Sequence, residues 1–168
     1  MVNIKIKTVL STREIHQVFK LRRDTFVKEQ ILFKNSDRDK LDNISSYLLA
    51  YVQGKVVGTV RVYPDIFNEN SWIGGRLAVQ KDFRKTNVGR MLVKSAEKFV
   101  FEKGAIHFSA NIQLQNVTFF KKLRWRPKGE IFFINNKPHV KMKADLKKFF
   151  KISGNNKNYN QQLFEPYY

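Results

Sequence analysis

Hydrophobic positions change their period several times along the chain, and each change marks an element. In "NIKIKTVL" Ile4, Ile6 and Val9 alternate loosely with polar residues, which predicts a first strand. Ser11 and Glu14 then make the Ser-x-x-Glu signature of a helix start. Behind it Ile15, Val18, Phe19, Arg22 and Phe26 recur at helical spacing, so residues 13–29 predict a helix. "KNSDRDKLDN" is polar and turn-rich. "SSYLLAYVQ" and "KVVGTVRVYP" are β-rich runs joined around Gly54, a hairpin pattern, and "WIGGRLAV" is the next strand. Val88, Met91, Leu92, Ala96, Phe99 and Val100 form one face of a helix that stops at Gly104. "AIHFSANI" predicts a strand and "NVTFFKKL" a short helix. "GEIFFINNKPHVKMKADL" holds two strands turning at Asn135-Asn136. A hairpin-rich sheet that leads into a strand-loop-helix-strand unit places the chain in the α/β (α+β) class, with a mixed sheet. No repeat or internal boundary interrupts it. One domain is expected over 1–147, followed by a Lys/Asn/Gln-rich tail over 148–168.

Charge adds a second layer. Lys and Arg number 32 against 14 acids, for a net charge of +18. Such an excess favours anionic partners such as nucleic acid or phosphorylated cofactors. Lysine, asparagine and isoleucine are frequent throughout, so ordinary solvated surface accounts for the total equally well. The absence of cysteine excludes disulfides and a thiol nucleophile. His16, His107 and His139 are scattered without zinc-ligand spacing, so no metal is expected, and His107 reads as structural. No apolar run reaches the length of a membrane span and no signal-peptide pattern opens the chain, which predicts a cytoplasmic protein without a membrane partner. Five acids, Asp24, Glu29, Asp37, Asp39 and Asp42, reverse the sign of the charge locally. They would favour a cationic amine, or they cap turns in a solvated loop.

The stretch "RLAVQKDFRKTNVGRMLV" carries the candidate chemistry. A strand feeds a basic turn and then a helix. Thr86 or Asn87 can cap that helix near Val88. Its free amides, its dipole and the nearby arginines can hold a phosphate or pyrophosphate, and Gly89 lets a ligand approach the backbone. Neither G-x-x-x-x-G-K-[ST] nor G-x-G-x-x-G is present, so an ATP P-loop and a Rossmann site lack support. Taken alone, the stretch also fits an ordinary strand-helix connection with solvent-facing cations.

The turn Arg84-Lys85-Thr86-Asn87-Val88-Gly89 resembles the Q/R-x-x-G-x-G/A signature of the GNAT N-acetyltransferases. Asn87 stands at the first glycine, as the next best residue for an unusual backbone angle. "QNVTFFKKLRW" resembles the family's N-x-x-x-[FY]-x-x-x-G-[FW] helix, with Asn116 and Trp125 matching and Arg124 in place of glycine. With "RRDTFVKEQILF", "SDRDKLDN", "GTVRVYP", "WIGGRLAV" and "KPHVKM", the chain resembles the bacterial nitrogen-starvation-associated members. Gly75 departs from them where an acid is usual.

The resemblance implies a mostly antiparallel central sheet of about seven strands, flanked by helices, with a V-shaped splay between two central strands. It implies acetyl-CoA as co-substrate, with its pantetheine arm on the backbone of Leu77, Ala78 and Val79. The pyrophosphate would lie on Lys85, Thr86, Asn87, Val88, Gly89 and Arg90, with Arg84 beside it. A backbone N–H near Val79 would polarise the thioester, and Asn116 would contact the cofactor. Phe119 and Phe120 occupy the place of a proton-donating tyrosine, so Phe120 becomes a wall of the cofactor site. Glu29 is the first candidate base and His139 the second, and each also fits a purely structural role. An amine acceptor follows, together with a homodimer. Nucleic acid is not expected, although the charge would allow it. Two alternatives stay open. Arg22, Phe26 and the "DRDKLD" acids also resemble acyl-homoserine-lactone synthases. A non-catalytic domain binding acetyl-CoA or nucleic acid is the other.

Overall fold

Local signals set the boundaries of the first elements. Ser11 Oγ accepts from the Glu14 amide at 3.2 Å, and the Glu14 carboxylate accepts from the Ser11 amide at 3.1 Å, so the capping box closes. Strand β1 (Ile4–Thr8) precedes it and helix α1 (Thr12–Arg22) follows. The helix expected to Glu29 changes character at Arg23, where it widens into a π-helical segment, Arg23–Glu29. That widening keeps Phe26 buried against Leu21 and Ala78. These coordinates are a computed structural model and describe residues 3–149. The tail expected over 148–168 lies outside the described residues from position 150 onward.

Strands β2 (Ser46–Val52) and β3 (Lys55–Pro64) form the expected hairpin. Gln53 (φ +49°) and Gly54 (φ +77°) make its two-residue turn, and both positive angles suit the sheet twist. Strand β4 (Ser71–Val79) leads through a basic turn into α2 (Val88–Glu102), which stops before Gly104 at φ +86°. Then come β5 (His107–Gln113), α3 (Val117–Lys122), β6 (Arg126–Ile134) and β7 (Lys137–Lys143). Asn135 and Asn136 turn the last hairpin at φ +46° and +60°.

The seven strands lie in the order β1-β2-β3-β4-β5-β7-β6. Every pairing is antiparallel except β4 with β5. Helix α2 lays Val88, Leu92, Ala96 and Val100 on one face, over Val60, Val62, Phe108 and Met142. On the opposite face α1 and the π segment cover β2 to β4 through Val18, Tyr47 and Leu49 and through Leu21, Phe26 and Ala78. Glu97 is 1% exposed on α2, and its carboxylate accepts from Trp125 Nε1 at 2.7 Å and pairs with Lys148. Among the described residues no helix is long and apolar enough to cross a membrane.

Candidate active site

The parallel pair β4–β5 is bonded over four rungs only, from Ser71 opposite His107 to Gly74 opposite Ala110. Beyond them the strands part, and a cleft of about 450 Å³ opens between them. Among the described residues no strand pairs with Gly75–Val79 on that edge, although the Val79 carbonyl accepts from Arg84 Nε at 2.9 Å. An extended ligand can bond to that backbone as a strand would.

Here β4 also bulges. Thr59 faces Ala78 while Arg61 faces Gly75, so Arg76 and Leu77 together oppose Val60. Arg76 sits at φ +51°, an uncommon angle for a side-chain-bearing residue. Its guanidinium holds the bulge in place. Nη2 donates to the Asp37 carbonyl at 3.0 Å, Nε reaches the Asp37 carboxylate at 3.1 Å, and the group lies 4.7 Å over the Phe33 ring.

Asp37 belongs to a closed network that revises one expectation. The acids of the 24–42 segment were candidates to attract a cationic acceptor. Instead Asp37, Asp39 and Asp42 are matched by Arg22, Arg61 and Arg76. Arg22 is fully buried between Asp37 at 2.7 Å and Asp42 at 2.6 Å, and Arg61 bonds Asp39 at 2.7 Å. Burial by itself would raise the Asp42 carboxyl. Hydrogen bonds from Arg22, the Asp39 backbone and Tyr47 outweigh it and hold Asp42 well below the usual carboxylate range. Tyr47 is pushed up to about 12 by burial and by its bond to Asp42. The three carboxylates are structural counter-ions and present little free charge.

At the mouth of the cleft stands the start of α2. Asn87 occupies the cap position without a side-chain bond, at φ −78°, so the unusual angle expected there is not used. Thr86 is the working cap: its Oγ1 accepts from the Val88 amide at 3.3 Å and donates to the Phe83 carbonyl at 2.6 Å. Among the described residues the amides of Gly89 and Arg90 find no backbone acceptor in the turn before α2, and Lys85 is exposed beside them. A Cβ on Gly89 would meet the Phe119 ring at 3.6 Å and Val79 Cγ2 at 3.8 Å, ordinary contact distances, so a methyl fits there and a larger side chain would crowd the cradle.

Arg84 points elsewhere than expected. Its Nε donates to the Val79 carbonyl at 2.9 Å, and both terminal nitrogens grip the Glu29 carboxylate, one at 2.7 Å. The hydrogen bond from Arg84 holds Glu29 below its ordinary value. His139 lies on the rung opposite Gln113, in the cleft wall, 5% exposed and stacked on Phe132. Its Nδ1 is 2.8 Å from the Lys137 carbonyl. A carbonyl can only accept, so Nδ1 carries a hydrogen, and Nε2 is the ring nitrogen left for a second partner. Phe119, Phe120 and Trp125 form an edge-to-face stack with centroids 5.1–5.2 Å apart, and Phe120 is buried. Asn116 borders the cleft at the start of α3, and its side chain makes no cap bond there. No tyrosine or cysteine lines the cleft among the described residues. Sequence reasoning missed Arg76 and Phe33 as wall residues, because neither the bulge nor the loop's return over it leaves a periodic signal.

The mixed sheet splays between its two parallel strands and sets a free strand edge beside a helix start. The sequence model of the Acetyltransferase (GNAT) family matches residues 13–124, and the chain belongs to that family. The uncharacterized N-acetyltransferase YjcF of Bacillus subtilis (strain 168) is 32% identical over 144 residues, 83% of this chain and 100% of the relative. The crystal structure of Escherichia coli ElaA superimposes with a TM-score of 0.76 at 19% identity, over 85% of this chain and 100% of that one. BjaI, a CoA-dependent acyl-homoserine lactone synthase, does so with a TM-score of 0.72 at 20% identity, over 91% and 89%. Both likenesses speak for the fold.

Proposed function

We propose that this protein transfers an acetyl group from acetyl-CoA to a primary amine by direct attack in a ternary complex. The unpaired edge Gly75–Val79, running up to the free amides of α2, carries the reading. That edge suits the amide-bearing pantetheine arm, and Lys85–Arg90 suits the pyrophosphate. The bulge at Arg76–Leu77 turns backbone away from the β3 ladder, which frees a donor for the thioester oxygen. The amine nitrogen bonds to the carbonyl carbon, the C–S bond breaks, and the amine gives up a proton. His139 takes that proton at Nε2, in preference to Glu29, whose carboxylate is committed to Arg84. Phe120 cannot protonate the departing thiolate. A thiol's reference pKa of ~8.5 lets the thiolate leave without help.

Acetyl-CoA should raise the melting temperature of the wild-type chain. Gly89→Asp should fold and lose that rise, because it adds bulk and negative charge to the cradle. Normal binding by Gly89→Asp would place the cofactor elsewhere. Release of CoA thiol across a panel of amines then identifies the acceptor.

A further inference from the structure

On the sheet face away from α2, the last strands bring like charges into register. Lys128 stands opposite Lys141 and Arg126 opposite Lys143 on β6 and β7. Directly opposed residues of an antiparallel pair share a face, and like charges there destabilise the sheet. Lys143 has Ser109 on its other flank, and Ser71 faces His107 across β4–β5. Lys128, Lys141 and Lys143 border one hollow of about 290 Å³ together with His107, Ser71 and Ser109. Its remaining wall, Asp65 and Asn68, is polar as well. His107, read from the sequence as structural, is exposed here.

The cations of this hollow outnumber its acids, three lysines against the single carboxylate of Asp65, which Lys141 already influences. Among the described residues Lys128, Lys141, Lys143 and Arg126 form no ion pair, whereas Arg22, Arg61 and Arg76 are each matched by aspartates. The carboxylate of Asp65 is taken up by Asn68 Nδ2 at 2.9 Å and the Phe67 amide at 3.0 Å. The hollow is also distinct from the cleft in its lining. The two adjoin along β5, where Ala110 and Asn111 line the cleft and Ser109 the hollow, and no residue lines both.

We propose that this hollow binds a phosphate monoester group. Three ammonium donors around serine hydroxyls match a compact, doubly charged oxyanion. Asp65 on one wall disfavours a long polyanion lying across the face, so a single phosphate group fits better than a nucleic-acid backbone. Such a ligand would also relieve the opposed charges of β6 and β7.

Inorganic phosphate is the probe, titrated against the full chain in thermal melts, with sodium chloride at matched ionic strength as reference. Phosphate should raise the melting temperature saturably and beyond chloride. Lys141→Gln should abolish that extra shift, and Lys143→Gln should do the same. Each should melt higher than wild type without phosphate, because an opposed like-charge pair is gone. The extra shift should persist in Gly89→Asp, which separates it from anion binding at the α2 cradle. Equal shifts in phosphate and chloride would overturn the site, as would loss of the shift in Gly89→Asp with retention in Lys141→Gln. Saturable binding of a single-stranded oligonucleotide that outcompetes phosphate and depends on Lys141 would replace it with a backbone-tracking surface.

Discussion

Glu29 illustrates how much a partner changes a side chain. Gripped by Arg84, it stays charged and each of its oxygens already accepts a hydrogen bond. Glu29→Gln should therefore leave the acid limb of the pH–rate profile in place and alter chiefly the KM for acetyl-CoA. His139→Ala should lower kcat by about 10²–10⁴-fold, the usual range for a general base, with little change in the KM for acetyl-CoA. The reverse pattern in steady-state kinetics would return the role to Glu29. Asp42 and Tyr47 report on the same network from opposite ends of the pH scale. Asp42 has a depressed folded-state pKa, so its contribution is present above the unfolded value of about 3.9 and is lost as pH falls below that. Tyr47 is raised to about 12, so its contribution is full below about 10 and is lost as pH climbs from 10 to 12. Urea titrations across pH should show both edges, and Tyr47→Phe should erase the alkaline one. Asp37→Ala should cost about 3–5 kcal/mol, because it removes one of the two carboxylates that pair buried Arg22 and a partner of Arg76 as well.

Elements were readable where their signals are local. The capping box at Ser11, the stop at Gly104 and the two short turns each lie within a few residues, and each appears in the fold as expected. The π segment kept its span and lost its type, because apolar spacing at Phe26 does not distinguish a widened turn from a regular one. The bulge in β4 was invisible, since Arg76 takes its angle from Asp37, Asp39 and Phe33, which are distant in sequence. The acidic segment likewise changed meaning once Arg61 and Arg76 arrived from other strands. Packing between elements gives a further test. A Cβ at Gly58 would sit 2.8 Å from Leu92 Cδ1 and 2.9 Å from Val88 Cγ1, where β3 meets α2. Gly58→Ala should cost about 1–3 kcal/mol by overpacking that contact. Gly75→Ala, with open space around its Cβ, should cost far less in the same denaturation experiment.

Across the whole molecule the charge of +18 opposes compaction. Stability should rise between about 0.1 and 1 M sodium chloride, as the screening length falls from about 10 to 3 Å. Lys148→Met should destabilise by about 1–3 kcal/mol, because it leaves Glu97 buried and unpaired. The loss stays below that of a sealed pair because Lys148 is 35% exposed. Red-shifted emission from Trp125 would accompany it, since its indole bonds the same carboxylate. The seam between the halves of the sheet has a further consequence. Strands β1–β4 and β5–β7 are stitched together by four rungs. A molecule lying along the free edge of β4 would serve as a temporary eighth strand, and its amides would be slow to trade hydrogen for deuterium. Exchange at Gly75–Val79 should fall when acetyl-CoA is added, while the amides of β1 keep their original rate. The protein would then record the bound molecule as a change in the cooperativity with which the sheet breathes.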